Sequence, residues 1–186
     1  MTGTFRKLET SELNRLSVDA FRQSEKIPVV VVLDNLRSQH NIGSIFRTCD
    51  AFRVERLLLC GISATPPHRE IHKTALGAEM SVAWSYHEST LEAMTELREE
   101  GYTLAVVEQT AHSILLENFE PTVGEKYALV FGNEVKGVQE DAVKMAGFCL
   151  EIPQFGSKHS FNVSVSAGIV LWALFQKMPL SLPLAR

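Results

Sequence analysis

The apolar and polar positions of this 186-residue chain follow two alternating patterns. Residues 27–33 (IPVVVVL) are continuously apolar and rich in β-branched side chains, which predicts a strand covered on both faces. Residues 41–53 place their apolar side chains at helical spacing instead. The same patterns predict further strands at residues 56–60, 80–84, 102–107, 126–131 and 148–152, and further helices at residues 88–100, 138–145 and 160–177. Strands that alternate with helices predict an α/β fold with a mainly parallel sheet and helices on both faces.

The start of the chain differs from the rest. Residues 5–26 have spaced apolar positions among charged ones, so we predict a short helical appendage over residues 1–26 and one domain over residues 27–186. No apolar run reaches the ~18–20 residues that span a bilayer, and the N-terminus lacks the apolar core of a signal peptide. We therefore expect a cytoplasmic protein without a membrane segment.

The net charge of −4 is unevenly distributed, because residues 1–73 carry +3 and residues 74–186 carry −7. The negative total gives no support for non-specific binding to nucleic acid, whereas the basic half leaves room for a local basic face. A scattered, solvated surface explains the same residues equally well, so both interpretations stay open. The basic residues are Arg6, Lys7, Arg15, Arg22, Lys26, Arg37, Arg47, Arg53, Arg56, Arg69 and Lys73.

The cysteines and histidines follow neither a disulfide nor a metal-binding pattern. Cys49, Cys60 and Cys149 are odd in number, widely spaced and set in or beside apolar runs, which predicts buried free thiols. His68 and His72 lie four residues apart, but the glutamate of HREIH stands third, where the zinc-protease pattern needs it second. We therefore expect no metal site.

Candidate ligand-binding turns follow three of the predicted strands. The carboxyl ends of parallel strands collect at one edge of the sheet, where ligands bind. Polar or glycine-bearing turns follow strands there, at residues 107–110, 131–134 and 151–154. The glycine patterns of dinucleotide-binding and P-loop proteins are both missing from the sequence. The turn from Gly132 to Gly137 is by itself either a ligand loop or an ordinary turn.

Two other segments carry candidate site residues. In the predicted helix 41–53, Arg47 lies opposite the apolar face, one turn after Gly43. The glycine indicates close approach by a ligand or a second chain, or Arg47 is simply a solvent-exposed partner of Asp50. In residues 156–168, Ser160 is a candidate N-cap that would direct free N–H groups near Asn162 toward a ligand. The small residues at positions 160, 164 and 168 equally predict close helix packing.

Taken together, these segments resemble the SpoU/TrmH branch of the SPOUT RNA methyltransferases. The first family motif, Asn-x-Gly-x-x-x-Arg, matches Asn41 to Arg47. The second matches residues 129–134 (LVFGNE) and continues to Gly137, and the third matches residues 152–153 (IP) with residues 160–165 (SFNVSV). The motifs stand in the family's order over roughly residues 27–177. Phe161 departs from the pattern, which more usually has leucine or methionine there.

The resemblance implies a fold, a cofactor and a reaction. The fold would contain a deep trefoil knot in the C-terminal part of the sheet, and the knot would bind S-adenosylmethionine. The cofactor's methyl group would pass to a ribose 2′-hydroxyl of RNA. The chain would form a homodimer through the motif-one helix and the last helix. The apolar face of the last helix would then serve core and interface together: Phe161, Val165, Ile169, Trp172 and Phe175.

The resemblance also assigns site residues. The catalytic ones would be Arg47, Asn41, Glu134, Ser160 and Asn162, and the cofactor-binding ones Glu108, Gly132, Ile152, Ser160 and Phe161. Arg47 would grip a phosphate or stabilise the developing alkoxide, because a guanidinium is effectively never deprotonated. Asn41, Ser160 and Asn162 would orient the arginine or the nucleotide, and Glu134 would fix the motif-two turn or polarise a donor. Gly132 would leave room for adenosine against the strand end.

The substrate stays open between tRNA and rRNA. Two alternative functions also stay open at this point. One is a non-catalytic RNA-binding relative with the same fold, and the other is an unrelated α/β protein that binds a nucleotide or a flavin.

Overall fold

One parallel sheet organises the chain in the computed structural model, which describes residues 6–178. Its strands are β1 (Ile27–Asp34), β2 (Val54–Cys60), β3 (Ala83–His87), β4 (Tyr102–Val107), β5 (Ile114–Leu115), β6 (Lys126–Phe131) and β7 (Phe148–Glu151). They lie in the order β3-β2-β1-β6-β4-β7-β5, and every neighbouring pair is parallel. Residues 1–5 and 179–186, the ends of the predicted appendage and domain, lie outside the described part.

Helices connect the strands on both sides of the sheet. Within residues 6–178 they are α1 (Val18–Gln23), α2 (Gln39–Ala51), α3 (Arg69–Ala75), α4 (Ala78–Ser81), α5 (Thr90–Glu99), α6 (Glu140–Met145) and α7 (Val163–Lys177). Short 3₁₀ turns occupy Thr10–Leu13 and Leu116–Asn118. The predicted α/β class is therefore confirmed.

The central strand β1 is buried on both faces, as its unbroken apolar run predicts. Val29, Val31 and Leu33 pack with α2, α3 and α7 on one face. Val30 and Val32 pack with α5 and α6 on the other. All five side chains have no exposed surface. Two covered faces leave no polar position for an alternating pattern, which is why the run is continuous.

The bounds of the strand predicted at residues 80–84 are wrong, because the strand found there, β3, covers Ala83–His87. Met80 and Ser81 belong to α4, and β3 begins only at Ala83. Gly77, the N-cap of α4, has a left-handed backbone conformation (φ 94°). The helix that follows it contains Met80 and Ser81, which local hydrophobicity assigns to a strand. The predicted polar stretch between β4 and β6 also contains a short edge strand, β5, and a 3₁₀ turn.

The last helix begins later than predicted and has a different cap. It starts at Val163, and Asn162 caps it, because Asn162 Oδ1 accepts a hydrogen bond from Ser164 N at 2.9 Å. Ser160, the predicted N-cap, lies outside the helix and is exposed.

The two faces of α7 also differ from the prediction. Val163, Ala167, Val170, Leu171 and Leu174 form its buried side. The predicted face is turned outward instead, with Phe161 41%, Val165 48% and Trp172 49% exposed. Only Ile169 and Phe175 of that face pack partly against the core. The helix is thus apolar on more than one side.

The N-terminal segment is fixed to the domain. Phe21 of α1 is 5% exposed and belongs to the core. Arg22 donates two hydrogen bonds to Met80 O, at 2.6 and 3.0 Å. The segment therefore covers α4, and its separation from the domain stays a prediction.

Other sequence predictions have mixed outcomes. All three cysteines are buried as predicted, and burial raises the pKa of the Cys60 thiol to about 12. No helix within the described residues has both the length and the apolar surface that crossing a bilayer requires. The strand order inserts β6 between β1 and β4, but the knot itself stays a prediction from the resemblance.

Candidate functional site

A cleft of about 650 Å³ lies at the carboxyl ends of β4, β6 and β7, the edge at which ligand-binding turns were predicted. The turns after these three strands form its walls, together with the segment that leads into α7. Seven residues predicted as site residues line it: Glu108, Gly132, Glu134, Ile152, Ser160, Phe161 and Asn162. The structure therefore brings the second and third motifs together around one cleft.

Glu108, at the end of β4, holds the motif-two turn. Its Oε2 accepts a hydrogen bond from Val138 N at 3.1 Å, and its Oε1 accepts one from Gln109 N at 3.0 Å. Asn133 and Gly137 close the same turn with two backbone hydrogen bonds of 3.0 and 2.9 Å. The Glu108 carboxylate thus fixes the conformation of the motif-two turn, which forms one wall of the cleft.

Gly132 is required by this turn, and the predicted reason for it is wrong. A Cβ on Gly132 would lie 2.1 Å from Val138 N and 2.2 Å from Gly137 C. Real Cβ atoms essentially never come this close to backbone. The space beside Gly132 is therefore filled by the returning turn and not kept for adenosine.

Glu134 links the second motif to the first. Its Oε2 accepts a hydrogen bond from Arg37 N at 3.1 Å, and its Oε1 accepts one from Ser38 N at 3.0 Å and one from Asn41 Nδ2 at 3.0 Å. Burial alone would raise the pKa of Glu134, but these three donors and the backbone N–H of Glu134 itself outweigh it and lower the pKa. The carboxylate is therefore ionised at neutral pH and fixes the start of α2.

Asn41 and Asn162 extend this contact to the third motif. Asn162 Nδ2 donates to Asn41 Oδ1 at 3.1 Å, while Asn162 Oδ1 accepts from Ser164 N and Ser164 Oγ at 2.9 and 2.6 Å. Because Glu134 can only accept, it fixes the amide of Asn41, which in turn fixes that of Asn162. We call Glu134, Asn41, Asn162 and Ser164 the amide relay. It joins all three motifs beside the cleft.

Arg47 is the one predicted catalytic residue that belongs neither to the amide relay nor to the lining of the cleft. Its side chain is exposed, and it does not line the cleft. Within residues 6–178 it has no ion pair, and the carboxylate of Asp50, its suggested partner, accepts a hydrogen bond from Ser81 Oγ. The amide relay does not reach Arg47, so the predicted orientation of the arginine by Asn41 and Asn162 is not present within one chain.

Gly43 serves helix packing and not ligand approach. A Cβ there would lie 2.1 Å from Thr74 Oγ1 and 2.3 Å from Ile71 O. The glycine thus allows α3 to pack closely against α2 in the same chain. Glycine spacing alone could not identify which neighbour fills the space.

Sequence reasoning missed Asp34, which is buried at the end of β1. Its carboxylate accepts hydrogen bonds from Thr90 Oγ1 at 2.7 Å, Gln139 N at 2.8 Å and Gln139 Nε2 at 2.9 Å. Asn133 of the motif-two turn donates to Asn35 O at 2.6 Å. These bonds tie the end of β1 to the cleft. The sequence signal that could have identified Asp34 is an acidic residue directly after a long apolar run.

The two histidines considered for a metal have other partners. His68 Nδ1 accepts a hydrogen bond from Glu70 N at 3.2 Å, at the start of α3. His72 Nδ1 bonds to Glu79. Both therefore act in local structure.

Comparison with known proteins identifies the family. The SpoU rRNA methylase family matches residues 28–172. A tRNA (guanosine(18)-2′-O)-methyltransferase from Thermus thermophilus is 30% identical, over 88% of this chain and 82% of the relative. The crystal structure of the A. aeolicus TrmH/SpoU tRNA modifying enzyme matches with a TM-score of 0.75 and 25% identity, over 86% of this chain and 81% of that one.

A third relative shows likeness of fold alone. It is an AdoMet-bound rRNA methyltransferase from Sinorhizobium meliloti, with a TM-score of 0.75 and 24% identity, covering 84% of this chain and 59% of that one. The alternative of an unrelated α/β protein that binds a nucleotide or flavin is wrong, because the family match includes all three motifs. The predicted resemblance is confirmed: the chain belongs to the SpoU rRNA methylase family.

Proposed function

We propose that this chain transfers the methyl group of S-adenosylmethionine to a ribose 2′-hydroxyl of tRNA or rRNA. The amide relay carries the proposal, because it joins residues of all three family motifs at the rim of a single cleft. A cytoplasmic location is part of the proposal and is supported by the class of substrate.

The cleft fits the cofactor. Its volume of about 650 Å³ lies within the range of roughly 300–1,000 Å³ that small-molecule sites occupy. Its walls offer backbone polar groups at Gly132 and Ile152, and Phe161 offers an aromatic face that is 41% exposed. These groups match a ligand with a purine base and a ribose. When bound, S-adenosylmethionine supplies a methyl group on a positively charged sulfur.

The residues of the chain would act mainly by positioning. Methyl transfer requires the 2′-oxygen to be held in line with the methyl carbon, so precise placement supplies much of the rate. Asn162 stands at the cleft with its amide fixed by Asn41. Glu134 is a weak base, because its pKa is lowered and three donors hold its oxygens. We therefore assign Glu134 and Asn41 as positioning residues and Asn162 and Ser160 to contact with the nucleotide.

Arg47 would act on the cleft of a partner subunit in a homodimer. The outward aromatic cluster of Phe52, Trp172 and Phe175 supports dimerisation, since its ring centroids lie 5.3–6.2 Å apart and Trp172 is 49% exposed. Arg47 extends from α2 on this same side. There it would stabilise charge that develops on the 2′-oxygen or hold an adjacent phosphate.

Binding and transfer can be tested separately. Calorimetry should show S-adenosylmethionine binding to the wild type, and Ile152→Arg should abolish it by filling the cleft. Ile62→Arg, at an exposed position away from the cleft, is the matched control and should bind normally. The wild type should then transfer labelled methyl groups from S-adenosylmethionine to ribose in RNA that is purified from cells lacking the protein. Binding without transfer to tRNA or rRNA would identify the non-catalytic relative instead.

The shared site has its own test. Arg47→Ala should lose most of its activity and Ile152→Arg all of it, but mixed dimers should regain activity, because one composite site per dimer is intact. If Arg47 acts within its own chain, the mixture stays inactive.

The dimer can be tested by sedimentation. The wild type should sediment at twice 20.7 kDa, and Trp172→Ala should dissociate, whereas Trp84→Ala on strand β3 should not. A 20.7 kDa wild-type species at micromolar concentration contradicts the dimer.

A further inference from the structure

A second cleft, of about 790 Å³, lies away from the first and shares no lining residue with it. Residues 15–18 and Phe21 of the N-terminal segment form one wall, and the exposed side of α2 with the turn between α3 and α4 forms the other. Three arginines line it: Arg15, Arg47 and Arg53. We call it the arginine cleft.

Its guanidinium groups are uncommitted within the described chain. Between residues 6 and 178, the side chains of Arg15, Arg47 and Arg53 make no hydrogen bond or ion pair. Other basic residues of the N-terminal half are engaged, for example Arg6 by Glu12 and Lys73 by Glu70. Within residues 6–73 the side chains of six basic residues have no such bond, and three of the six line this one cleft.

The charge of the arginine cleft opposes that of the whole chain. Asp50 is the one acidic residue among its described lining, and its carboxylate accepts from Ser81 Oγ. Burial, and after it the charge of Arg53, lowers the pKa of nearby Lys26. The chain as a whole has a net charge of −4, so it attracts polyanions only weakly. The local excess of positive charge in the arginine cleft therefore favours binding of an anionic partner at this one place.

We infer that the arginine cleft binds the phosphate backbone of the substrate RNA, next to the ribose that is methylated at the first cleft of the partner subunit in the proposed dimer. This inference rests on the proposed function. Guanidinium groups bind phosphate oxygens with two parallel hydrogen bonds, and three of them would hold successive phosphates of one strand. Arg15 belongs to the N-terminal segment and lies before residue 28, where the match to the family model begins.

Phosphate contacts can be counted from the salt dependence of binding. We would measure the affinity for unfractionated tRNA over a series of potassium chloride concentrations. Arg15→Gln and Arg53→Gln should each reduce the slope of log affinity against log salt by about 0.7 to 0.9, as expected for one lost phosphate contact. Arg15→Lys should keep most of the slope, because an ammonium still neutralises a phosphate.

Arg98→Gln is the matched control. Arg98 is exposed on α5, which packs on the other face of the sheet, and its removal changes the total charge equally. Its slope should equal that of the wild type. In the methyl-transfer assay, the Arg15 and Arg53 variants should raise KM for RNA about two- to fivefold with kcat retained. Their affinity for S-adenosylmethionine should not change.

Several results would overturn the inference. One is an unchanged slope in both glutamine variants, and another is an equal loss in Arg98→Gln. A third is binding of polyglutamate that is as tight as that of tRNA and is lost in Arg15→Gln and Arg53→Gln. That result would assign the cleft to an acidic peptide. The proposed function fails separately, by a wild type that neither binds S-adenosylmethionine nor methylates RNA.

Discussion

Replacing Glu134 with glutamine tests whether the amide relay holds the site together. The side chain keeps its shape, but one carboxylate oxygen becomes an NH₂ group. Oε2 accepts one hydrogen bond and Oε1 accepts two, so even the better orientation of glutamine turns its NH₂ toward Arg37 N–H. One bond is lost, and the bonds to Ser38 and Asn41 lose their charged acceptor.

The size of the effect follows from these bonds. A hydrogen bond to a charged group contributes about 1.5–3 kcal/mol and a neutral one about 0.5–1.5 kcal/mol. Because Glu134 is open to solvent, water replaces part of the loss, and we expect destabilisation of ~1–2 kcal/mol. Misplacement of Asn162 should lower kcat by a factor on the order of 10–100. Affinity for S-adenosylmethionine should change less, since the turn itself is held by Glu108.

Denaturant unfolding and methyl-transfer kinetics measure the two effects, with Glu99→Gln as the control. Glu99 is exposed at the end of α5, and its side chain has no bonding partner within residues 6–178. The pKa of Glu134 is lower in the folded state, so its stabilisation is complete above the unfolded pKa of about 4.3 and is lost as pH falls through the folded pKa. The stability difference between wild type and Glu134→Gln should therefore be constant from neutral pH to about pH 5.5 and shrink below about pH 4. Equal stability and equal kcat at pH 7 would refute the relay.

Four further substitutions test single positions. Gly43→Ala should destabilise the protein by about 1–3 kcal/mol because its Cβ would meet Thr74 Oγ1 at 2.1 Å, whereas Gly168→Ala, with no atom within 4 Å, should stabilise α7 by about 0.5–1 kcal/mol. A change of melting temperature with the same sign in Gly43→Ala and Gly168→Ala would contradict this packing. Gly132→Val should lower the melting temperature and remove cofactor binding together, and a stable variant with normal affinity would show that the turn can adjust. Arg47→Ala should cost on the order of 10²–10³ in rate with less than ~0.5 kcal/mol in stability, and near-normal methylation would exclude a catalytic role.

Local pattern was sufficient for much of the sheet. The predicted strands at residues 102–107 and 126–131 have the bounds of β4 and β6. Their apolar runs, broken only by Thr103 and by the exposed Lys126 at the start of β6, depend only on neighbouring residues, and a strand buried on both faces has few polar positions. The start of the strand predicted at residues 80–84 was wrong, because Gly77 is the N-cap of a short helix that hydrophobicity does not reveal.

The motifs identified the site residues, but the fold decided what each one does. Glu134 and Asn41 are 93 positions apart, and Asn162 is 121 positions from Asn41. No periodicity links such distant residues; only the order of β1, β6 and β7 in the sheet brings their ends together.

The glycines show the same division. The sequence by itself determined that Gly43 and Gly132 stand where a side chain would be unwelcome, because a glycine in a helix or at a strand end needs a reason. Only the tertiary structure decided that the neighbours are α3 and the motif-two turn, and that Arg47 lines the arginine cleft and not the cleft at the carboxyl ends of the strands. The physical reason is one of range: hydrophobic period and backbone preference act between residues a few positions apart, whereas contacts are set by packing of the whole chain.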